Sequence, residues 1–246
     1  FNSDDLAGSK QVPCGWHKCF FRSKSNRQVG YLVARSTGMS SSEKRKRLKS
    51  LDSAYNLAKY LEQEYNIRHF LIAPPTSLTV DKSLESRMNS NLKSETNRRN
   101  FKQQRFPKGS VVFVEKVKPA PRHALLVGCK ESKRNLFHKV VNKFVSRVKE
   151  KEAFTRQFTK SFVELREVLL HEPCLLYDFQ VLIDTKGTLY HLDFDRCFSM
   201  KSAKKKDGPS TKKLSQNSCF KSLNMIEQQV YDAIDKQQVD AKHTLV

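Results

Sequence analysis

A chain of 246 residues is long enough for one medium domain or two small ones, each with a real core. Its 46 Lys and Arg against 25 Asp and Glu give a formal charge of +21 and a pI near 9.8. That excess calls for a polyanionic partner, nucleic acid first and an acidic membrane surface second. No run approaches the roughly eighteen apolar residues of a membrane span, and no basic-then-apolar signal peptide opens the chain. It starts at Phe1 without a methionine, as a fragment of a longer protein would. Six cysteines, several in apolar contexts, read as reduced core thiols in a reducing compartment. Cys14, His17 and Cys19 cluster without a second pair at zinc spacing.

In chain order, a strand is expected around Lys18 to Phe21, then a polar turn at Ser23-Lys24-Ser25-Asn26, then a strand from Gln28 to Arg35. A serine-rich basic turn follows, and a helix from Leu51 carries Leu51, Ala54, Tyr55, Ala58, Leu61 and Tyr65 on one face, capped by Ser50 or Asp52. Residues 22 to 49 hold nine basic groups and one acidic, so this module presents Arg22, Arg27, Arg35, Arg45, Lys46, Arg47 and Lys49 as candidate DNA contacts. Lys44-Arg45-Lys46-Arg47 and Lys204-Lys205-Lys206 have the composition of nuclear import signals, which makes the expected location nuclear.

From Gly15-Trp16 to Tyr65 this order resembles the methyl-CpG-binding domain, a three-stranded sheet packed on a helix, and the related ethylene-response-type DNA-binding domain of plants. Gly15-Trp16, Arg22, Arg27, Gly30, Tyr31-Leu32-Val33 and Leu48-Lys49-Ser50 carry the likeness. The resemblance implies that Arg27 reads a guanine edge. The family's second arginine falls on Lys49, which lacks the planar fork, and its carboxylate beside the second strand is absent from Gly30 to Ala34.

Residues 74 to 106 open with Pro74-Pro75 and are rich in Ser, Asn, Lys and Arg; they read as an exposed polar linker in which Leu84 and Leu92 are too isolated to mark a core face. Strands are then expected over Val111 to Lys118 and His123 to Lys130. A helix follows with Phe137, Val140, Val141, Phe144 and Val148 in one stripe, and another with Phe158, Phe162, Leu165 and Leu169 that ends near His171-Glu172-Pro173. Val181-Leu182-Ile183 and Leu189-Tyr190, with Leu192, flank the turn Asp184-Thr185-Lys186-Gly187 as a hairpin. Past it stands Asp193-Phe194-Asp195-Arg196, carboxylates placed just beyond a strand end, where a metal ion and phosphate can be reached. A Lys/Ser loop from Ser199 to Ser218 and a helix near Lys221 to Lys236 close the chain.

His191, Asp193 and Phe194 resemble the magnesium-loop hairpin of atypical kinases, including the lipid kinase-like group. Asp193 through Arg196 resemble that of bacterial sugar kinases of lipopolysaccharide synthesis. The resemblance implies Mg and ATP as cofactors, Asp193 with Asp195 as metal ligands, and Gln180 at the position of the metal-binding asparagine. Leu175 stands where the catalytic aspartate belongs, and Asp178 is the nearby carboxylate able to take that role. No Gly-x-Gly-x-x-Gly loop occurs; Lys130 is the candidate phosphate-pairing lysine, with Glu150 or Glu152 as its partner.

The expectation is therefore an α+β chain. A small three-stranded sheet plus helix module (13–73) and a polar linker (74–106) precede a reduced, divergent kinase-like domain (107–240). Two functions stay open. One is a nuclear DNA-binding protein whose kinase-like part does not catalyse; the other is an Mg-ATP-dependent phosphotransferase brought by its basic regions to a polyanion. The sequence does not fix an oligomeric state.

Overall fold

The structure is a computed structural model that describes residues 6, 14, 18–36, 38–90, 92, 105–128, 137–172, 175, 180–192 and 218–243. It is of the mixed α+β class, and the described residues form two four-stranded sheets and five helices. The chain divides into two compact units, Phe1–Asn56 with Phe70–Pro119, and Leu57–His69 with Ala120–Val246.

The first unit is built on an antiparallel sheet in the order β1-β2-β5-β4, formed by β1 (Lys18–Arg22), β2 (Gly30–Arg35), β4 (Thr76–Thr79) and β5 (Val111–Val117). Alternation along β1 and β2 sends Cys19, Phe21, Tyr31 and Val33 to one face, where they join Val112 and Val114 of β5 in a buried core. The Phe21 and Phe106 rings meet there in a T-shaped contact, their centroids 5.9 Å apart. On the opposite face the Phe20 ring lies over Gly30, where a Cβ would stand 2.3 Å from it and force the ring to move.

Three expectations are corrected in this unit. The third strand beside β1 and β2 is β5, expected instead with the C-terminal domain. Residues 74 to 90 are structured rather than linker: they form β4 and helix α2 (Lys82–Ser90). Leu84 and Met88, one turn apart, are buried in the same core as Leu92, and Asp81 caps the helix by accepting the Leu84 N–H at 2.7 Å. Helix α1 (Ser41–Tyr65) begins ten residues earlier than Leu51. Its start is a reciprocal capping box, with the Ser40 N–H donating to Glu43 Oε2 at 2.7 Å and the Glu43 N–H to Ser40 Oγ at 3.3 Å.

The cysteine reading is corrected as well. Cys14 and Cys19 are joined in a disulfide. Cys219 is disulfide-bonded too, and no cysteine is free among the described residues.

In the second unit a mixed sheet runs β3-β8-β7-β6, from β3 (Arg68–His69), β6 (Leu125–Gly128), β7 (Gln180–Ile183) and β8 (Leu189–His191). Among the described residues of this sheet, β3–β8 is the one parallel pair and β6–β7 and β7–β8 are antiparallel. Helices α3 (Phe137–Val145), α4 (Lys151–His171) and α5 (Ser218–His243) complete the unit. The expected apolar stripes hold along α4 and α5, where Phe158, Phe162, Leu165 and Leu169, and Leu223, Ile226, Val230 and Ile234, are buried. In α3 the stripe is narrower than expected, since Val140 is 52% exposed. Phe144, Phe154, Phe158 and Phe162 form a continuous run of ring contacts with centroids 4.4 to 5.8 Å apart, and the Arg166 guanidinium forks onto the Glu227 carboxylate between α4 and α5.

Candidate functional site

The candidate DNA contacts lie at two ends of one hairpin. Arg22 closes β1 opposite Gly30, and Arg27 stands exposed in the turn just beyond. That turn is tied by its own backbone: the Ser23 N–H donates to the Val29 carbonyl and the Val29 N–H to the Asn26 carbonyl, both at 3.0 Å. Asn26 Oδ1 accepts from the Gln28 N–H at 2.8 Å, and Ser23 Oγ from the Asn26 N–H at 3.1 Å. Arg27 therefore rides on a braced tip.

Arg35 is at the other end, half-buried, its Nη1 donating to the Arg105 carbonyl at 2.6 Å. Desolvation lowers its pKa from the ordinary arginine value. From the same end the chain enters α1, on which Arg45, Lys46 and Lys49 are exposed and Arg47 is half-buried. Glu43, the carboxylate of the capping box, lies below the usual carboxylate range, first because the Ser40 backbone donates to it and with a smaller contribution from Lys46. The three exposed cations thus lie in the first nine residues of a capped helix rather than in the irregular basic turn that composition suggested.

Of the kinase-type residues, Asp178, Lys130, Asp193 and Asp195 lie outside the described residues, as do 199–217 of the Lys/Ser loop. The order of elements around them is the expected one: α4, then β7, then β8, with Ile183 opposite Leu189 and a left-handed Gly187 (φ 84°) in the turn. Gln180 starts β7 opposite Gly128, and its carbonyl accepts the Leu192 N–H at 3.0 Å. Glu150 is exposed, with its carbonyl receiving the Phe154 N–H at 2.9 Å in the first turn of α4. Leu175 is a buried core residue, its N–H bound to the Glu172 carbonyl at 3.1 Å. Among the described residues no group of three His, Cys, Asp or Glu side chains is placed to hold a metal ion.

One neighbour of this region escaped sequence reasoning. His191, one of the residues on which the expected kinase resemblance rests, sits in register with His69 of β3, and both are buried. Burial, and secondarily His69, lower the His191 pKa to about 4. Glu62 Oε2 lies 3.3 Å from His69 Nε2 and is held by Lys59 Nζ at 2.7 Å. No periodicity signals this pairing, because a parallel ladder joins residues 122 positions apart.

Comparison with protein families finds no matching family, and comparison with curated proteins finds no match.

Proposed function

We propose that this chain binds duplex nucleic acid through its first unit. The observation that carries the proposal is the display of Arg45, Lys46 and Lys49, all exposed, along the capped opening turns of α1. A rigid helix bearing cations on successive turns meets phosphates with less ordering cost than a loose basic loop. The chain-wide charge of +21 adds long-range attraction. Six or so phosphate contacts would cost about three orders of magnitude in affinity between roughly 50 and 200 mM salt. Fluorescence anisotropy with a labelled duplex tests this. Replacing Arg45, Lys46 and Lys49 together with Gln should reduce the slope of log affinity against log salt by about 3. Absence of binding at low salt, or an unchanged slope, would overturn it.

The nuclear location belongs to the same proposal, since Lys44 to Arg47 is the import-type segment. The Cys14–Cys19 disulfide is the observation against a reducing compartment. Thiol titration of protein isolated with alkylation from cells decides between them, for a nuclear protein would yield these thiols reduced.

The α4-β7-β8 order favours a second reading, an Mg-ATP-dependent phosphotransferase. In it Asp193 and Asp195 hold magnesium, Gln180 assists, Lys130 and Glu150 pair at the phosphates, and Asp178 positions the nucleophile. Calorimetry with ATP, with and without magnesium, should then show binding that Asp193→Ala abolishes. Binding indifferent to magnesium would leave the hairpin a structural element.

A further inference from the structure

The second unit contains a cavity of about 300 Å³ that neither functional reading uses. It is lined by Asn66, Ile67 and Arg68 at the exit of α1, by Gln157, Ser161 and Glu164 of α4, and by Lys186, Thr188 and Leu189 of the β7–β8 turn. We propose that it binds a small hydroxylated anion, of the class of a polyol phosphate or a hydroxycarboxylate.

Each wall is held by its own local chemistry. Asn66 adopts a left-handed backbone (φ 54°) and the Ile67 N–H returns to the Leu61 carbonyl at 3.2 Å, so α1 ends in a defined cap. In the β7–β8 turn, Asp184 Oδ1 accepts the N–H groups of both Lys186 and Thr188 at 2.9 Å. Between those two residues Gly187 lets the turn approach α4 closely: a Cβ there would stand 2.5 Å from the Phe154 carbonyl oxygen and 2.7 Å from the Phe158 nitrogen. The turn that carries Lys186 and Thr188 is therefore pressed against the helix that carries Gln157 and Ser161. A site whose walls are fixed before binding loses little in ordering them.

The lining sets the ligand class. Arg68 and Lys186 supply two cations against the single carboxylate of Glu164, which is itself 3.9 Å from Lys160 Nζ. The balance favours an anion. Ser161 is buried, and its Oγ accepts from Gln157 Nε2 at 3.1 Å, which leaves the hydroxyl hydrogen for a ligand oxygen. Thr188 and Asn66 add further hydrogen-bonding groups, while Glu164 can accept from a ligand hydroxyl. Ile67 and Leu189 provide the apolar part of the wall. The volume is at the small end of ligand-sized cavities, which suits a ligand of a few carbon atoms.

Calorimetry on the full chain with glycerol 3-phosphate, glycerate and glycerol tests the proposal. At least one of the two anions should bind and glycerol should not; the tighter anion identifies a phosphate or a carboxylate as the recognised group. Arg68→Gln and Lys186→Gln should each weaken that binding about tenfold or more, and Arg156→Gln, an exposed α4 cation outside the cavity, should leave it unchanged. In the unaltered chain, titration should move the backbone amide signals of Lys186 and Thr188, a readout that needs no variant to fold. No binding of either anion, or equal weakening by Arg156→Gln, would overturn the site and leave only diffuse attraction to a basic protein. Duplex DNA should not compete, which separates this result from the fate of the nucleic-acid reading.

Discussion

His69 and His191 stand opposite one another in the parallel β3–β8 ladder, 3% and 1% exposed, with Glu62 3.3 Å from His69 Nε2. A second proton here would put a cation into a buried site already next to another imidazole. His191 consequently titrates near 4 in the folded chain, first through burial and then through His69, against an ordinary value of 6.5.

The consequence for stability follows from that direction. Above about pH 6.5 both folded and unfolded chains carry a neutral His191, and its stabilising contribution is fully present. As pH falls, the unfolded chain takes up the proton first, so stability declines and levels off only below about pH 4. The loss is on the order of 3 kcal/mol. Urea unfolding at pH 7.5, 5.5 and 4.5 should show this decline, and His191→Leu should flatten it. An equally steep decline in His191→Leu would place the acid sensitivity elsewhere. Lys59 and Glu62 are charged groups of α1 linked to this pair.

Gly187 gives a backbone prediction. It combines φ 84° with backbone atoms of α4 at 2.5 and 2.7 Å from a would-be Cβ, whereas Gly109, at φ 80°, faces open space. Gly109→Ala should cost about 1 kcal/mol, the penalty of the left-handed region alone. Gly187→Ala should cost about 3 kcal/mol, because the turn must also lift from the helix. Equal losses in denaturant unfolding would show that the turn is not seated on α4.

These contrasts indicate what the sequence made legible. Helix α4, strands β5 and β7 and the Asp184–Gly187 turn were readable because their signals are local: apolar spacing, an apolar run, an Asp and a Gly at turn positions. The early start of α1 is hard to read because the serine-rich, basic stretch before Leu51 has the composition of a turn and few apolar groups to set a period, although Ser40-Ser41-Ser42-Glu43 holds a capping box. The α2 segment was missed because Leu84 and Met88 are only two apolar groups among polar ones, and their burial depends on Phe21, Phe106 and Val112 from distant positions. The sheet order β1-β2-β5-β4 and the His69–His191 pairing are non-local, so no window of sequence contains them.

Lys18 and Glu115 form another such non-local pair, with Lys18 Nζ 2.5 Å from Glu115 Oε2 across the first unit's sheet and the Glu115 side chain 7% exposed. Lys18→Met removes this cation from beside the buried Glu115 carboxylate and should cost about 2 kcal/mol. The double variant Lys18→Met, Glu115→Leu removes both charges and should recover at least half of that loss. A double variant as unstable as the sum of its singles would mean the two groups act independently.

Arg27 separates reading of sequence from mere attraction. It is exposed on a turn braced by four hydrogen bonds from Ser23, Asn26 and their neighbours, while Lys46 is exposed on α1. A guanidinium held on a rigid tip can make the planar, two-bonded contact with a guanine edge; an ammonium on a flexible stem meets phosphate as a point charge. If Arg27 enters a groove, Arg27→Ala should flatten preference at one base pair by about 1–3 kcal/mol. Lys46→Ala should weaken all sequences alike and lower the salt slope by about 1. Binding to a randomised duplex pool, sequenced before and after selection for each variant, measures both effects. If the Arg27→Ala pool keeps the parent's base preference while affinity falls uniformly, Arg27 touches only phosphate, and the guanine-reading role expected for it falls away.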